Sequence, residues 1–523
     1  LGGETAVLEE RARGSLRQLP FDPEEAPLTS SRSEHGDIWV GIDLGTQSVR
    51  ALAVAGTGEV LGTGTSGLAS IRHGSRHEQD PASWWRAVQA ACRGALAQLD
   101  RPSVAGVSVD GTSGTVLLVD AADGSPLSPG LMYDDTRAAE FVDRVNEAGE
   151  QVWASLGYRR MQPAWALPKL LWLLAEHPEL AACARLAHQA DVINRALAGA
   201  EVPSDLSNAL KSGADLINET WPEKVFDMLD VPSTLLPGLV RPGTPIGAVC
   251  AQAAALTGLP EGTPVIAGCT DGCAAQLGAG ALAVGSWNSV LGTTLVLKGV
   301  TAELLRDPLG VVYSHKSTDG RWLPGGASST GAGAIARQFR DRDLDELGSR
   351  AADHEPAGVL AYPLASAKGE RFPFVAPQAE AFVLGTPRDD YELYAAMLQG
   401  ISYVERLCFD YLASLGAPVD GDLLLTGGGT RSRYWCQLRA DVLGRPVKLP
   451  ASAEPALGMA VLAATPGRAP AEVAGEMVRI KEVIEPRAEL AGRFDEPYLR
   501  LVGELERRGW MPSEMARPAS PAG

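Results

Sequence analysis

Ile38-Trp-Val-Gly-Ile-Asp-Leu-Gly-Thr-Gln-Ser-Val-Arg50, continued by Ala51 to Val54, is two apolar runs on either side of a Gly-Thr-Gln-Ser turn. Apolar and β-branched residues flanking a Gly-bearing turn predict a tight hairpin. Asp43 ends the incoming strand. The turn offers backbone N–H groups from Gly45, Thr46 and Gln47 and hydroxyls from Thr46 and Ser48, a donor-rich concavity of the kind phosphate oxygens need. A carboxylate repels phosphate, so Asp43 beside such a turn makes chemical sense if a divalent cation lies between them, held by oxygen ligands. The bland alternative is a hairpin with a polar turn, and the rest of the chain decides between the two.

The same punctuation recurs downstream. Asp80 and Pro81 predict the start of a helix carrying Trp84, Trp85, Val88, Cys92, Leu96 and Leu99. Val104 to Val109 reads as a strand ending in Asp110-Gly-Thr-Ser-Gly-Thr115, with Val116 to Val119 as its hairpin partner. Asp135, in Tyr133-Asp-Asp-Thr-Arg137, reads as a cap for a helix from Thr136 onward. Residues 138–235 read as a mostly helical insertion, with a buried helix around Trp172. Thr263 to Ala267 predicts a short strand, then a strand-to-helix turn with Asp271 at its tip, then a small-residue helix suited to close interdomain packing.

Beyond Gly285 the pattern restarts. Trp287 to Leu291, Gly292-Thr293-Thr294 and Leu295 to Leu297 repeat the strand, Gly-Thr turn and strand of the opening. Asp319-Gly320 predicts a hairpin, and Tyr391 to Leu415 a long periodic helix. Asp422 to Leu425 leads into Gly427, Gly428 and Gly429 and then a helix from Tyr434, a corner where glycine admits close contact and a helix end favours anions. Two halves that each open on a Gly-Thr hairpin predict duplicated α/β domains facing a cleft.

Composition narrows the function. The 523 residues carry a net charge of −18, which opposes nonspecific binding to nucleic acid or anionic membrane. No run reaches the roughly 18 apolar residues of a membrane span. The seven cysteines, an odd number among apolar neighbours, suggest buried thiols in a reducing compartment. Cys269 and Cys273 lack zinc-knuckle spacing, and His73 and His77 read as a surface loop. Residues 1–37, with eight acidic and four basic side chains and three prolines, read as a flexible arm. Because the chain starts at Leu1, a processed or trimmed form is expected.

Taken together, Gly41-Ile-Asp-Leu-Gly-Thr46, Ala267-Gly-Cys-Thr-Asp271, Gly292-Thr-Thr294, Gly325-Gly-Ala327, Gly369-Glu-Arg-Phe-Pro373 and Gly427-Gly-Gly429 resemble, in order, the FGGY family of carbohydrate kinases within the actin-like ATPase superfamily. The resemblance spans roughly residues 38–470. One departure lies at Lys169-Leu-Leu-Trp172, where Ala166 stands in place of the Pro, Ser or Thr of a family signature. Val109-Asp-Gly-Thr-Ser-Gly-Thr115, Ser207-Asn-Ala-Leu-Lys-Ser-Gly213, Tyr313-Ser-His-Lys316 and Lys368-Gly-Glu-Arg-Phe-Pro373 look like the D-ribulose kinase group of plants and cyanobacteria.

The resemblance implies two duplicated actin-like (ribonuclease H-like) α/β domains around a central cleft: an arm at 1–37, a sugar-side domain at 38–284, a nucleotide-side domain at 285–505 and a flexible tail at 506–523. It implies ATP-dependent phosphorylation of a free ketopentose, D-ribulose first and D-xylulose second, with ATP and Mg²⁺ as cofactors. Asp271 matches the catalytic base and Asp43 the metal- and substrate-side carboxylate. Gly45, Thr46, Gln47, Gly292 and Thr293 match the phosphate turns, Gly427 to Gly429 the adenosine corner, and Ser113, with Asp110 near it, a sugar-contacting position. The expected compartment is cytoplasmic, or the chloroplast stroma in a photosynthetic eukaryote. A non-catalytic actin-like scaffold is the competing class; it has no need of a carboxylate at position 271, whereas phosphoryl transfer to a hydroxyl does.

Overall fold

The computed structural model describes residues 36–512 and 515, apart from Gln98, Arg101, Ala367 and Lys368. The expected arm at 1–37 therefore lies, but for its last two residues, outside the described residues, as does Lys368 of the Gly369–Pro373 motif. The opening stretch forms the hairpin its pattern predicts, with strands Ile38–Leu44 and Ser48–Ala55 in antiparallel register, Asp43 opposite Arg50. That hairpin sits inside a six-stranded mixed sheet ordered Pro245–Ala248, Pro264–Ile266, Val104–Val109, Ile38–Leu44, Ser48–Ala55, Val60–Gly67. The three middle strands, Pro264–Ile266, Val104–Val109 and Ile38–Leu44, run parallel.

The second half repeats this sheet. Ile480–Ile484, Val447–Pro450, Leu423–Thr426, Trp287–Leu291, Leu295–Gly299 and Trp322–Ser328 follow in the same spatial order with the same relative directions, and Tyr313–Lys316 adds one more edge strand. The duplication is one of topology and of turns: Leu44-Gly45-Thr46 and Leu291-Gly292-Thr293 occupy the same place in the two sheets. The outer strand beyond the parallel trio differs in chain order, preceding its neighbour in the first half and following it in the second. Both sheets are flanked by helices, giving two α/β domains. Asp390–Ser414, which presents apolar residues to the second core over most of its length, is the long helix that the periodicity predicts.

Val116–Asp120 does not pair with Val104–Val109, contrary to the expected hairpin. Both edges of Val104–Val109 are already taken, by Ile38–Leu44 and Pro264–Ile266, so the chain must leave the sheet after Asp110. It enters a separate antiparallel five-stranded sheet made of Ile71–His73, Arg76–Gln79, Gly130–Leu131, Val116–Asp120 and Ala184–His188. This sheet and the helices Val142–Ser155 and Ala166–Glu176 enclose a core of their own, joined by Trp322 from the second half. His77 lies on a strand of this sheet and is buried, not on a surface loop. Asp135 is also buried, and it grips the Arg137 side chain at 2.6 Å instead of capping a helix at Thr136. Cys183 is exposed, unlike the other cysteines.

The two halves meet through a pair of helices that follow equivalent strands, Asp271–Ala279 and Pro455–Ala463. Their approach is backbone on backbone. A Cβ on Gly458 would stand 1.9 Å from the Ala274 carbonyl oxygen, and one on Gly41 1.8 Å from that of Ala456, so the small-residue composition of these segments is a packing requirement. The small-residue interdomain helix expected at Gln276 to Ala283 is present but lies earlier, at Asp271–Ala279. At the other end, the helix Asp495–Arg507 and the buried Met511 carry the second domain past residue 505, where the tail was expected to begin. No helix among the described residues is long and apolar enough to cross a membrane.

Candidate active site

Asp43, Asp110 and Asp271 stand at or just beyond the carboxyl ends of the three adjacent parallel strands, the place where open α/β sheets bind ligands. Backbone pairing sets them side by side. The Asp110 N–H donates to the Ile42 carbonyl at 3.0 Å, and the Asp271 N–H donates to the Gly111 carbonyl at 3.0 Å. Gly268 lets these ends converge, since a Cβ there would lie 1.8 Å from the Val109 carbonyl oxygen. Asp271 is the first residue of its helix, and its Oδ1 accepts the Gly272 N–H at 2.7 Å. Asp43 and Asp271 are half-buried, whereas Asp110 is fully buried.

Three carboxyls in so small a space perturb one another. Burial first, then the charge of Asp271, raises Asp43 to about 6 despite Arg50 nearby. Burial, Asp43 and Asp271 push Asp110 well above the ordinary carboxylate range, although its Oδ1 accepts the Leu44 N–H at 3.1 Å. Asp110 Oδ2 is buried without a hydrogen-bond partner. Such excess negative charge suits a divalent cation. Among the described residues no group of three His, Cys, Asp or Glu stands close enough to hold an ion; Mg²⁺ takes one or two carboxylates and completes its shell with water and substrate phosphates, and the half-buried Asp43 is the carboxylate that would serve it.

Beside Asp43, the turn at residues 45–47 is fixed from behind. Gln79 Nε2 donates to the Thr46 carbonyl at 2.7 Å, and the Leu68 N–H donates to the Gln47 carbonyl at 2.8 Å. Ser113 is held in the loop after Asp110: Lys211 Nζ donates to its carbonyl at 3.2 Å, while its own Oγ is buried and unpartnered. The neighbouring Gly114 carbonyl accepts from Lys169, a fully buried lysine whose ammonium burial pulls down to about 7. The sequence marks Lys169 only as part of a departure from a family signature; a lone lysine in a leucine-rich helix was the signal for its contact with this loop.

The predicted nucleotide residues divide into two groups. Gly292, Thr293, Gly428 and Gly429 line a single cavity of about 680 Å³ in the second half, with Ile335, Leu344 and Tyr394 among its apolar walls. That volume falls in the usual range for cofactor pockets. Gly427 lies behind the cavity: its φ is +82°, and a Cβ would stand 2.7 Å from the Leu291 carbonyl oxygen, so it shapes the loop and does not line the cavity. Gly45, Thr46 and Gln47 belong to the first half, beside Asp43. The helix Leu344–Ala351, which supplies a wall of the cavity, carries no phosphate-like motif and was not anticipated.

Residues 38–278 match the N-terminal domain, and residues 287–466 the C-terminal domain, of the FGGY family of carbohydrate kinases. A xylulose kinase of Streptomyces rubiginosus is 31% identical over 484 residues, covering 90% of this chain and 96% of that protein. A xylulose kinase of Escherichia coli K12 is 28% identical over 82% of this chain and 89% of its own length. Among solved structures, the xylulose kinase of Rhodospirillum rubrum superposes with a TM-score of 0.80 at 26% identity, covering 91% of this chain and 99% of that one.

Proposed function

This chain belongs to the FGGY family of carbohydrate kinases and phosphorylates a sugar at the expense of ATP; from that premise we propose that Asp43, Asp110 and Asp271 form its reaction centre, with a free ketopentose as acceptor. The observation that carries this reading is the convergence of the three carboxyls on adjacent strand ends. A primary hydroxyl of the sugar gives its proton to Asp271 as its oxygen bonds to the γ-phosphorus, and ADP leaves with the bridging oxygen. Asp271 is the first residue of its helix, so the positive end of the helix dipole faces its carboxylate. Asp43 would hold Mg²⁺, which would neutralise phosphate charge.

Ser113, with an unsatisfied buried hydroxyl, is suited to a sugar hydroxyl, and Asp110 stands behind it in the same loop. Backbone donors at Gly45, Thr46 and Gln47 on one side and at Gly292 and Thr293 on the other take the polyphosphate. Gly428 and Gly429 border the adenosine. Gripping one nucleotide from both halves favours closure and the exclusion of water.

D-xylulose is the acceptor with the better support, because it is the sugar in the names of the relatives. D-ribulose is the second reading, motivated by the likeness of the Asp110 to Thr115 loop to D-ribulose kinases. Epimers differ by one or two hydrogen bonds, each worth about 1–3 kcal/mol when left unmade at a buried site. A coupled ADP-release assay with a panel of pentuloses, hexoses and polyols decides the matter. Saturable stimulation by a ketopentose is expected, with kcat/KM for D-xylulose above that for D-ribulose. The reverse order would move the assignment to D-ribulose, and stimulation by no ketopentose would reject the acceptor class.

A further inference from the structure

Behind the turn that carries Asp271 lies a buried polar cluster that the chemistry above does not use. Ser207, in the short helix Leu206–Ala209 of the first-half insertion, has no exposed surface, and His315, on the edge strand Tyr313–Lys316 of the second-half sheet, is 1% exposed. Ser207 Oγ lies 3.1 Å from His315 Nδ1. The same oxygen accepts the Thr270 N–H at 3.2 Å and sits 3.2 Å from Thr270 Oγ1 and 3.6 Å from Cys273 Sγ. Thr270 is the N-cap of the Asp271 helix, yet its own side chain makes no capping bond. One hydroxyl therefore fixes the backbone on the N-terminal side of Asp271 and touches the first helical turn on the other.

The far end of this contact belongs to the other half of the molecule. Tyr313, two residues before His315, packs edge-on against Trp165 of the insertion with ring centroids 5.6 Å apart, so the strand is held against the first half. Burial and the ammoniums of Lys298 and Lys211 keep His315 well below its usual range, and the uncharged ring can accept from or donate to Ser207 without an ion to solvate. In either tautomer the serine hydroxyl keeps a partner for each of its roles.

We propose that Ser207 and His315 are positioning residues for Asp271, through which the nucleotide-side half holds the catalytic turn against the sugar. The proposal rests on the reading of Asp271 as the base. Misplacing a reacting group by about 1 Å costs on the order of 100-fold in rate. Ser207→Ala, which frees the Thr270 backbone, is expected to lower kcat about 10- to 100-fold on that scale, with KM for ATP little changed and the unfolding temperature lowered as by loss of any buried hydroxyl partner. Ser207→Thr, which keeps the hydroxyl, should recover most of the rate. His315→Leu should behave like Ser207→Ala, and His315→Asn, whose side chain can still meet the hydroxyl, should fall between them and wild type.

The discriminating readout is non-additivity with Asp271→Asn, measured by single-turnover phosphorylation. A residue that acts through Asp271 loses its effect once the carboxylate is gone, so Ser207→Ala should slow the Asp271→Asn enzyme by less than about twofold. Ser212→Ala serves as the control: its hydroxyl is equally buried and lies 2.8 Å from His188 Nε2, in a separate network of the same insertion. It should lower the unfolding temperature and leave kcat intact. A slow Asp271→Asn enzyme that Ser207→Ala slows again by its full factor would overturn this proposal alone, as would a wild-type rate in both Ser207→Ala and His315→Leu. An Asp271→Asn enzyme close to wild type would overturn the base reading and this proposal with it.

Discussion

The two halves share a sheet topology and part company over where they bury charge. In the first half, Asp43, Asp110 and Asp271 crowd together, with the half-exposed Arg50 beside Asp43 and Lys298 of the second half packed against Gly272, next to Asp271. In the second half, register places the uncharged Val290 and Thr426 at the points of Asp43 and Asp110, and the helix equivalent to that of Asp271 has Glu454 as its N-cap residue, whose carboxylate pairs with Arg50. Buried charge there sits instead in the core, as a bidentate pair: Arg439 reaches both oxygens of Glu405 at 2.7 Å, each side chain is 1% exposed, and Ser289 Oγ bonds to both. The duplication thus acts as an internal control. At those two strand ends the second half does without carboxylates, which supports our reading of Asp43 and Asp110 as groups kept for chemistry.

Opposite signs are therefore expected when buried charge is neutralised in the two halves. The largest effect belongs to Glu405→Gln, which strands the Arg439 guanidinium in the core and should cost about 3–5 kcal/mol, read as a lower denaturant midpoint. An unchanged midpoint would show that the pair is not what compensates charge there. Next comes the joint between the halves: Gly458→Ala drives a methyl into the Ala274 carbonyl and should cost about 1–3 kcal/mol as an overpacked contact. A variant as stable as wild type would mean that the two helices have room to part.

The smallest effect has the reverse sign. Burial and the Asp271 charge push Asp43 up to about 6 from an ordinary value of 3.8, so its contribution to stability is complete below about 4 and is lost as pH rises through about 6. In metal-free protein, Asp43→Asn should therefore gain stability over wild type at pH 7.5 and gain little at pH 4. The measurement is thermal unfolding in chelator at both values. An equal change at both would separate Asp43 from its neighbours' charge. Added Mg²⁺ should erase the gain by stabilising wild type alone.

The same contrast explains what the sequence made legible. Turns that need special backbone are written in residue types, so both Gly-Thr hairpins, the three-glycine corner and the strand-to-helix turn at Asp271 could be placed without coordinates. Partners are not written that way. Val116 to Val119 reads as a strand on its own evidence, but only the occupied edges of Val104–Val109 reveal that it belongs to another sheet. His77, which reads as surface, is covered by elements far along the chain. Glu405 and Arg439 look like ordinary polar positions on two helices until those helices pack. The wall that Leu344–Ala351 gives the cavity beside Gly292 and Gly428 is invisible for the same reason.

The central claim is that the first half's carboxyls exist for chemistry, and Asp271→Asn tests it most directly. Asparagine keeps the size of the side chain and its oxygen at the Gly272 N–H while removing the proton acceptor. The expected result is a loss of about 10²–10⁴-fold in kcat, with unchanged affinity for ATP and sugar in calorimetric titration and an unfolding temperature no lower than wild type. A variant that keeps more than about a tenth of wild-type kcat would contradict the account, because Asp271 would then be a helix-terminal residue and the proton would go elsewhere.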